Sequence, residues 1–178
     1  MFLEVLAAAI IIGLVSGGKL SNLGNLNIKY IYLIAAAFLI QAGIEFLNPR
    51  YACGGYPYLH VLSYFLLFFT LGKNRRLPGI YIILAGTALN FVVIALNGGR
   101  MPVRPDVLPQ QLAAVMAAGR GGTHQLITES TRFQFLADKL YVALPYQHQL
   151  ISIGDIFINV GLLILVIWGM REGYDGAC

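Results

Sequence analysis

The chain has 178 residues, 58% of them hydrophobic and only 11% charged, with a mean hydropathy of +0.72. A soluble domain of this size keeps about a quarter of its residues charged, so the composition argues against an ordinary water-soluble domain and leaves room for one helical bundle whose solvent is partly lipid. The formal net charge is +4, but the basic residues sit between apolar runs, which points to membrane topology and not to nucleic acid.

Five apolar segments follow one another at 2–18, 28–47, 57–72, 78–97 and 150–170. Hydrocarbon about 30 Å thick needs roughly 20 helical residues. The second, fourth and fifth segments meet that length, and the first and third are short. The first lacks a basic leader region and a small-x-small cleavage site, so it reads as a retained helix. Gly13 and Gly17 give it a small-xxx-small face suited to helix packing. Pro78 falls near the start of the fourth segment, where its missing N–H costs little. The expected fold is an all-α polytopic bundle of about five transmembrane helices, a single membrane domain over 1–178.

Lys19 and Lys29 flank the first loop, Lys73, Arg75 and Arg76 fill the third, and Arg171 ends the last segment. Basic residues in short loops mark the cytoplasmic side. The N-terminus is then outside, the C-terminus inside, and 48–56 and 98–149 lie outside the cytoplasm. Cys53 and Cys178 fall on opposite sides and cannot pair. Neither CxxC nor HExxH spacing occurs, so no metal or cofactor is expected.

The 98–149 loop contains two expected helices. Pro105 to Gly119 is rich in helix formers, Gly119-Arg120-Gly121-Gly122 breaks it, and Thr123 or Thr128 caps a second helix running to about Tyr141. Leu126, Phe133, Leu136 and Leu140 give that second stretch an apolar stripe, so the loop should lie on the bundle mouth or the lipid interface, with the glycine-rich break as a hinge.

The topology gathers polar residues at one depth: Glu45, His60, Asn90, Asn97, Asp155 and, one turn deeper, Asn159. A carboxylate within a span usually faces a partner or a wet cavity. Glu45 also lies close enough to the loop to reach headgroups, and Asp155 opens a helix, where capping competes with function. His60 beside Tyr58 suits an interfacial anchor, and Asn90 and Asn159 suit interhelical hydrogen bonding. Directly after the fourth segment comes Asn97-Gly98-Gly99-Arg100-Met101-Pro102-Val103-Arg104. Two glycines permit close backbone approach and two arginines can grip phosphate or carboxylate, so the stretch is a candidate anion cradle; Arg100 would alternatively neutralise Asp155 or Glu45. His124 and His148 read as solvated. Tyrosines 30, 32, 51, 56, 58, 141 and 146 read as an interfacial aromatic belt.

Asn97-Gly98-Gly99-Arg100-Met101-Pro102-Val103, with Ser152-Ile153-Gly154-Asp155 opening the last helix, resembles an uncharacterised family of small bacterial multi-pass membrane proteins. That likeness implies a bacterial inner membrane and brings no activity. Locally, Gly154-Asp155 through Gly161 is similar to the last helix of lipoprotein signal peptidases, whose chemistry implies a second aspartate. Gly86-Thr87-Ala88-Leu89-Asn90 matches the stretch before that acid, but Phe91-Val92-Val93 follows where the acid belongs. Three functions are therefore expected in descending order. The first is an accessory or structural subunit of a membrane complex. The second is a binder or transporter of an amphiphilic or lipid-linked anion through Asn90, Asn97, Gly98, Gly99, Arg100, Arg104, Asp155 and Asn159. The third is an intramembrane hydrolase using Asp155 with Glu45 or His60.

Overall fold

A computed structural model describes residues 2–47, 56–143 and 148–172. Among these are seven α-helices and little strand. The helices are α1 (Phe2–Val15), α2 (Leu20–Leu23), α3 (Ile31–Leu47), α4 (Tyr56–Lys73), α5 (Ile80–Leu96), α6 (Gln110–Ala117) and α7 (Ile153–Glu172). Each of the five expected apolar segments is a helix. The ends are trimmed where the backbone turns left-handed: Gly17 at φ +84°, Tyr30 at φ +60° and Gly79 at φ +83°. By length and composition α7 is able to cross a membrane, whereas Leu3–Val15, Ile31–Leu47 and Ile80–Leu96 are shorter apolar helices. Cys53, Cys178, Tyr51 and Tyr146 lie outside the described residues, and with them the expectation about the cysteines.

The five long helices form a row. α3 packs on α4, α4 on α5, α5 on α7 and α7 on α1. The tightest seam joins α5 and α7, and its cause is glycine. A Cβ on Gly154 would lie 2.0 Å from the Asn90 Oδ1 and 2.7 Å from the Gly86 carbonyl oxygen; one on Gly79 would lie 2.2 Å from the Gly161 carbonyl oxygen. Gly79 faces Gly161 and Gly86 faces Gly154, which makes the pair antiparallel with small residues letting the backbones meet. Gly13 of α1 is likewise a packing position, set against Met170 of α7, while Gly17 meets nothing.

The row has two unlike ends. At one, the Asn22 side chain donates to the Met170 carbonyl at 2.8 Å, and the Asn74 side chain binds the Lys29 backbone at both N–H and carbonyl, each 2.8 Å. These bonds draw together the segments carrying Lys19, Lys29, Lys73, Arg75, Arg76 and Arg171, forming a basic pole.

At the other end the chain between α5 and α7 forms a cap, and here the expectation of an all-α fold is corrected. Strand β1 (Met101–Val103) pairs in parallel with β2 (His124–Leu126) through a crossover containing α6, and β3 (Leu140–Ala143) pairs antiparallel with β4 (His148–Ile151). Of the two expected loop helices only α6 forms. The second, from Thr123 or Thr128 to Tyr141, is replaced by β2, a 3-10 turn at Gln134–Leu136 and β3. Local hydrogen bonding defeats it: the Thr128 N–H donates to the Thr131 hydroxyl at 2.8 Å and closes a turn, and Phe133 sits at φ +54°. The apolar stripe is still used. Leu136 is buried with Tyr64, Val93, Ile94 and Met101, joining cap to α4 and α5.

Candidate functional site at the capped pole

Asn97-Gly98-Gly99 is a helix stop. The Gly99 N–H returns to the Ile94 carbonyl at 2.9 Å with Gly98 and Gly99 both left-handed. A Cβ on Gly99 would meet the Pro57 backbone at 2.7 Å, so this glycine is fixed by close approach as well as by φ. The Gly99 carbonyl lies 2.8 Å from His60 Nδ1, which must therefore carry the proton. Asn97 binds both backbone groups of Arg132, accepting at 2.8 Å and donating at 2.9 Å, and its own carbonyl accepts from the Gln125 side chain at 2.9 Å. The motif thus fastens the cap to α4 and α5. β1 itself is wholly buried and takes further bonds from Asp138, whose N–H donates to the Pro102 carbonyl at 3.0 Å.

Two polar clusters lie beneath. In the first, Asp155 is a helix-capping partner. Ser152 precedes α7; its N–H and hydroxyl reach Asp155 Oδ2 at 2.8 and 2.7 Å, and the Asp155 N–H returns to the Ser152 hydroxyl at 3.1 Å. Asn90 of α5 donates to Asp155 Oδ1 at 2.9 Å. The carboxylate is satisfied by Ser152 and Asn90, and no direct Asp155–Arg100 ion pair forms among the described residues. Asn159 is buried one turn below and takes no part in this network.

The second cluster crosses from bundle to cap. Glu45, at the end of α3, accepts from the Thr123 N–H at 2.8 Å and from the Thr123 hydroxyl. His124 stands between two carboxylates: Nδ1 is 3.4 Å from Glu45 Oε1 and Nε2 is 3.4 Å from Asp138 Oδ2, with Asp138 only 3% exposed. Burial by itself would push the imidazole down, but Asp138 and then Glu45 outweigh it and hold His124 at about 10. The two carboxylates thus favour the charged form of the ring. His124, expected to be solvated, is the hub of the site; residues 45, 124 and 138 are too far apart in sequence for spacing to reveal them.

The Thr123 hydroxyl is buried and bonded to the Glu45 carboxylate. Among the described residues no group of three or more His, Cys, Asp or Glu could hold a metal. Of the expected anion-binding arginines, Arg104 is bound to Asp106, Nε to Oδ1 at 2.9 Å and a terminal nitrogen to Oδ2 at 2.5 Å, on the surface. Arg100 differs: its Nε is buried with no hydrogen-bond partner among the described residues.

A model of a family of unknown function, DUF5317, matches residues 25–167, which takes in α3 through most of α7 and the entire cap. The chain belongs to the DUF5317 family. An uncharacterized protein of Thermotoga maritima is 29% identical over 170 residues, spanning 94% of this chain and 90% of that one, so this DUF5317 chain and that relative share nearly their full length. No solved structure is significantly similar. Family membership covers α3 through most of α7 and brings no activity, and neither comparison links the chain to the signal peptidases.

Proposed function

We propose that this DUF5317 protein is a multi-pass membrane protein, with the cap outside the cytoplasm and the basic pole inside, that serves as an accessory or structural subunit of a larger membrane assembly. The carrying observation is the open row. α1 and α3 each have one main helical neighbour, and their other faces carry Ile11, Val15, Phe38 and Leu39, the last 73% exposed. Lipid accommodates such faces, and so does a neighbouring helical subunit. The polar clusters are internally satisfied, which suits a stapled scaffold. Photo-crosslinking residues placed at Ile11 and Leu39 in native membranes test the reading. Discrete protein adducts are expected at both flanks; adducts to lipid alone would overturn the subunit role.

One observation favours a second reading, the binding of an amphiphilic anion at the capped pole: the Arg100 Nε, which has no partner among the described residues and is a group that ordinarily finds an acceptor when buried. Arg100→Gln should then abolish retention of an anionic lipid at this pole; unchanged retention removes the reading. An intramembrane hydrolase built on Asp155 has the least support, since Ser152 and Asn90 occupy its carboxylate and Asn90 stands close to where the signal-peptidase likeness calls for an acid.

A further inference from the structure

At the basic pole, Asn74 is buried and its side chain clamps the Lys29 backbone to the end of α4. The clamp sets Lys29 beside the run Lys73-Asn74-Arg75-Arg76. All four cations are exposed, and none is ion-paired among the described residues. Next to them is an aromatic surface. Tyr30, held left-handed at φ +60°, packs edge-on against Phe69 at 5.2 Å between ring centres, and the Lys73 ammonium lies 5.3 Å from the centre of the Phe69 ring. Both rings are substantially exposed. A non-glycine residue with positive φ is uncommon, and for a bulky side chain it is disfavoured; here it presents a ring exactly where cations collect.

We propose that this patch binds the headgroup of an anionic phospholipid in the leaflet at the basic pole. Arginine and lysine engage phosphate oxygens. Aromatic rings sit stably at the depth where headgroup meets acyl chain, apolar at one end and wet at the other. A free phosphate would use the cations and leave the rings without a role, and an acidic protein surface would leave the exposed apolar helix faces directly below unmatched. Lipid accounts for both halves of the patch. The inference rests on the membrane reading above and goes further by assigning a lipid class and its site.

The test uses the full chain in nanodiscs of phosphatidylcholine with 20–30% or so phosphatidylglycerol (on the order of the anionic fraction that gives a measurable surface potential), released into the gas phase and read by native mass spectrometry for retained lipid. Phosphatidylglycerol should be retained preferentially. The preference should fall by at least roughly fivefold in R75E/R76E, the scale expected for loss of one basic contact to an anionic surface, and should persist in R104E, whose charge lies in the cap. Thermal unfolding should show R75E/R76E folded, since both side chains are exposed. Adding inorganic phosphate should not displace the lipid. Equal retention of the two lipids, a preference untouched by R75E/R76E, or displacement by phosphate would each overturn the proposal. Carbonate extraction keeps the two readings apart. A protein that stays in the membrane but shows no lipid preference refutes the headgroup site alone, whereas one released by carbonate refutes the membrane reading itself.

Discussion

The imidazole of His124 should keep its proton across the whole neutral range. Its unfolded-state value is the ordinary 6.5, and in the folded chain it is held at about 10. A raised value means the charged form is favoured by folding, so the stabilisation is fully present below about pH 6.5 and is lost as pH rises through 10. Imidazole NMR of the labelled protein should therefore show His124 titrating far above the usual range; a midpoint near 6.5 would mean the cluster does not hold. His124→Gln leaves Asp138 buried without its cation. Breaking a buried pair costs about 3–5 kcal/mol, and the 28% exposure of His124 places the loss toward the lower figure or below it. Adding Asp138→Asn removes the stranded charge, so the double variant should melt above the single one. Little of this was legible in the sequence. Glu45, Asp155, Asn90 and Asn97 stand out as polar residues in apolar runs, because a lone polar group there demands a partner. His124 and Asp138 lie in a polar stretch, where neither residue carries any local sign of burial.

Among the elements, the long apolar segments were readable because a run of some 17 apolar residues satisfies its own backbone only as a helix. The cap was not, because its strands are three or four residues long and its register depends on contacts with Asp138 and Ile151 distant in sequence. The helix seams were partly readable: glycines at 79, 86, 154 and 161 are visible, but which of them meet is a tertiary fact. Their placement gives a sharp contrast. Gly154→Ala puts a methyl 2.0 Å from the Asn90 Oδ1 and should destabilise the fold by about 1–3 kcal/mol, as overpacking does. It should also loosen the Asn90–Asp155 bond that the same seam positions. Gly43→Ala, in α3 with nothing within 4 Å, should be neutral or raise stability by up to about 1 kcal/mol through helix propensity. Thermal unfolding in one detergent compares the two; equal effects would mean that α5 and α7 do not meet through glycine.

At the scale of the whole molecule, charge asymmetry is the basis of the proposed orientation, and the cap is compatible with it. Six basic residues, Lys19, Lys29, Lys73, Arg75, Arg76 and Arg171, belong to the segments that hydrogen bonds gather at one pole. On the proposed membrane reading, retention of positively charged loops in the cytoplasm would put that pole inside, and long loops translocate largely regardless of charge, which permits the cap outside. Helix length sets the strain on this arrangement. α3 and α5 each have 17 residues, about 25 Å at 1.5 Å per residue, against hydrocarbon of roughly 30 Å. Local thinning of the bilayer and flanking Lys and Tyr side chains reaching for the interface can make up that difference at modest cost. In a variant without native cysteines, Arg120→Cys in the cap should react with an impermeant thiol reagent on intact cells, and Arg75→Cys should react only once the membrane is opened. Both positions are exposed on the folded chain, so the fold itself protects neither. The reverse pattern would place the basic pole outside and move the lipid-headgroup site to the other leaflet. Equal labelling of both before permeabilisation would mean that the row does not span the membrane, and the exposed faces of α1 and α3 would then have to be covered by protein alone.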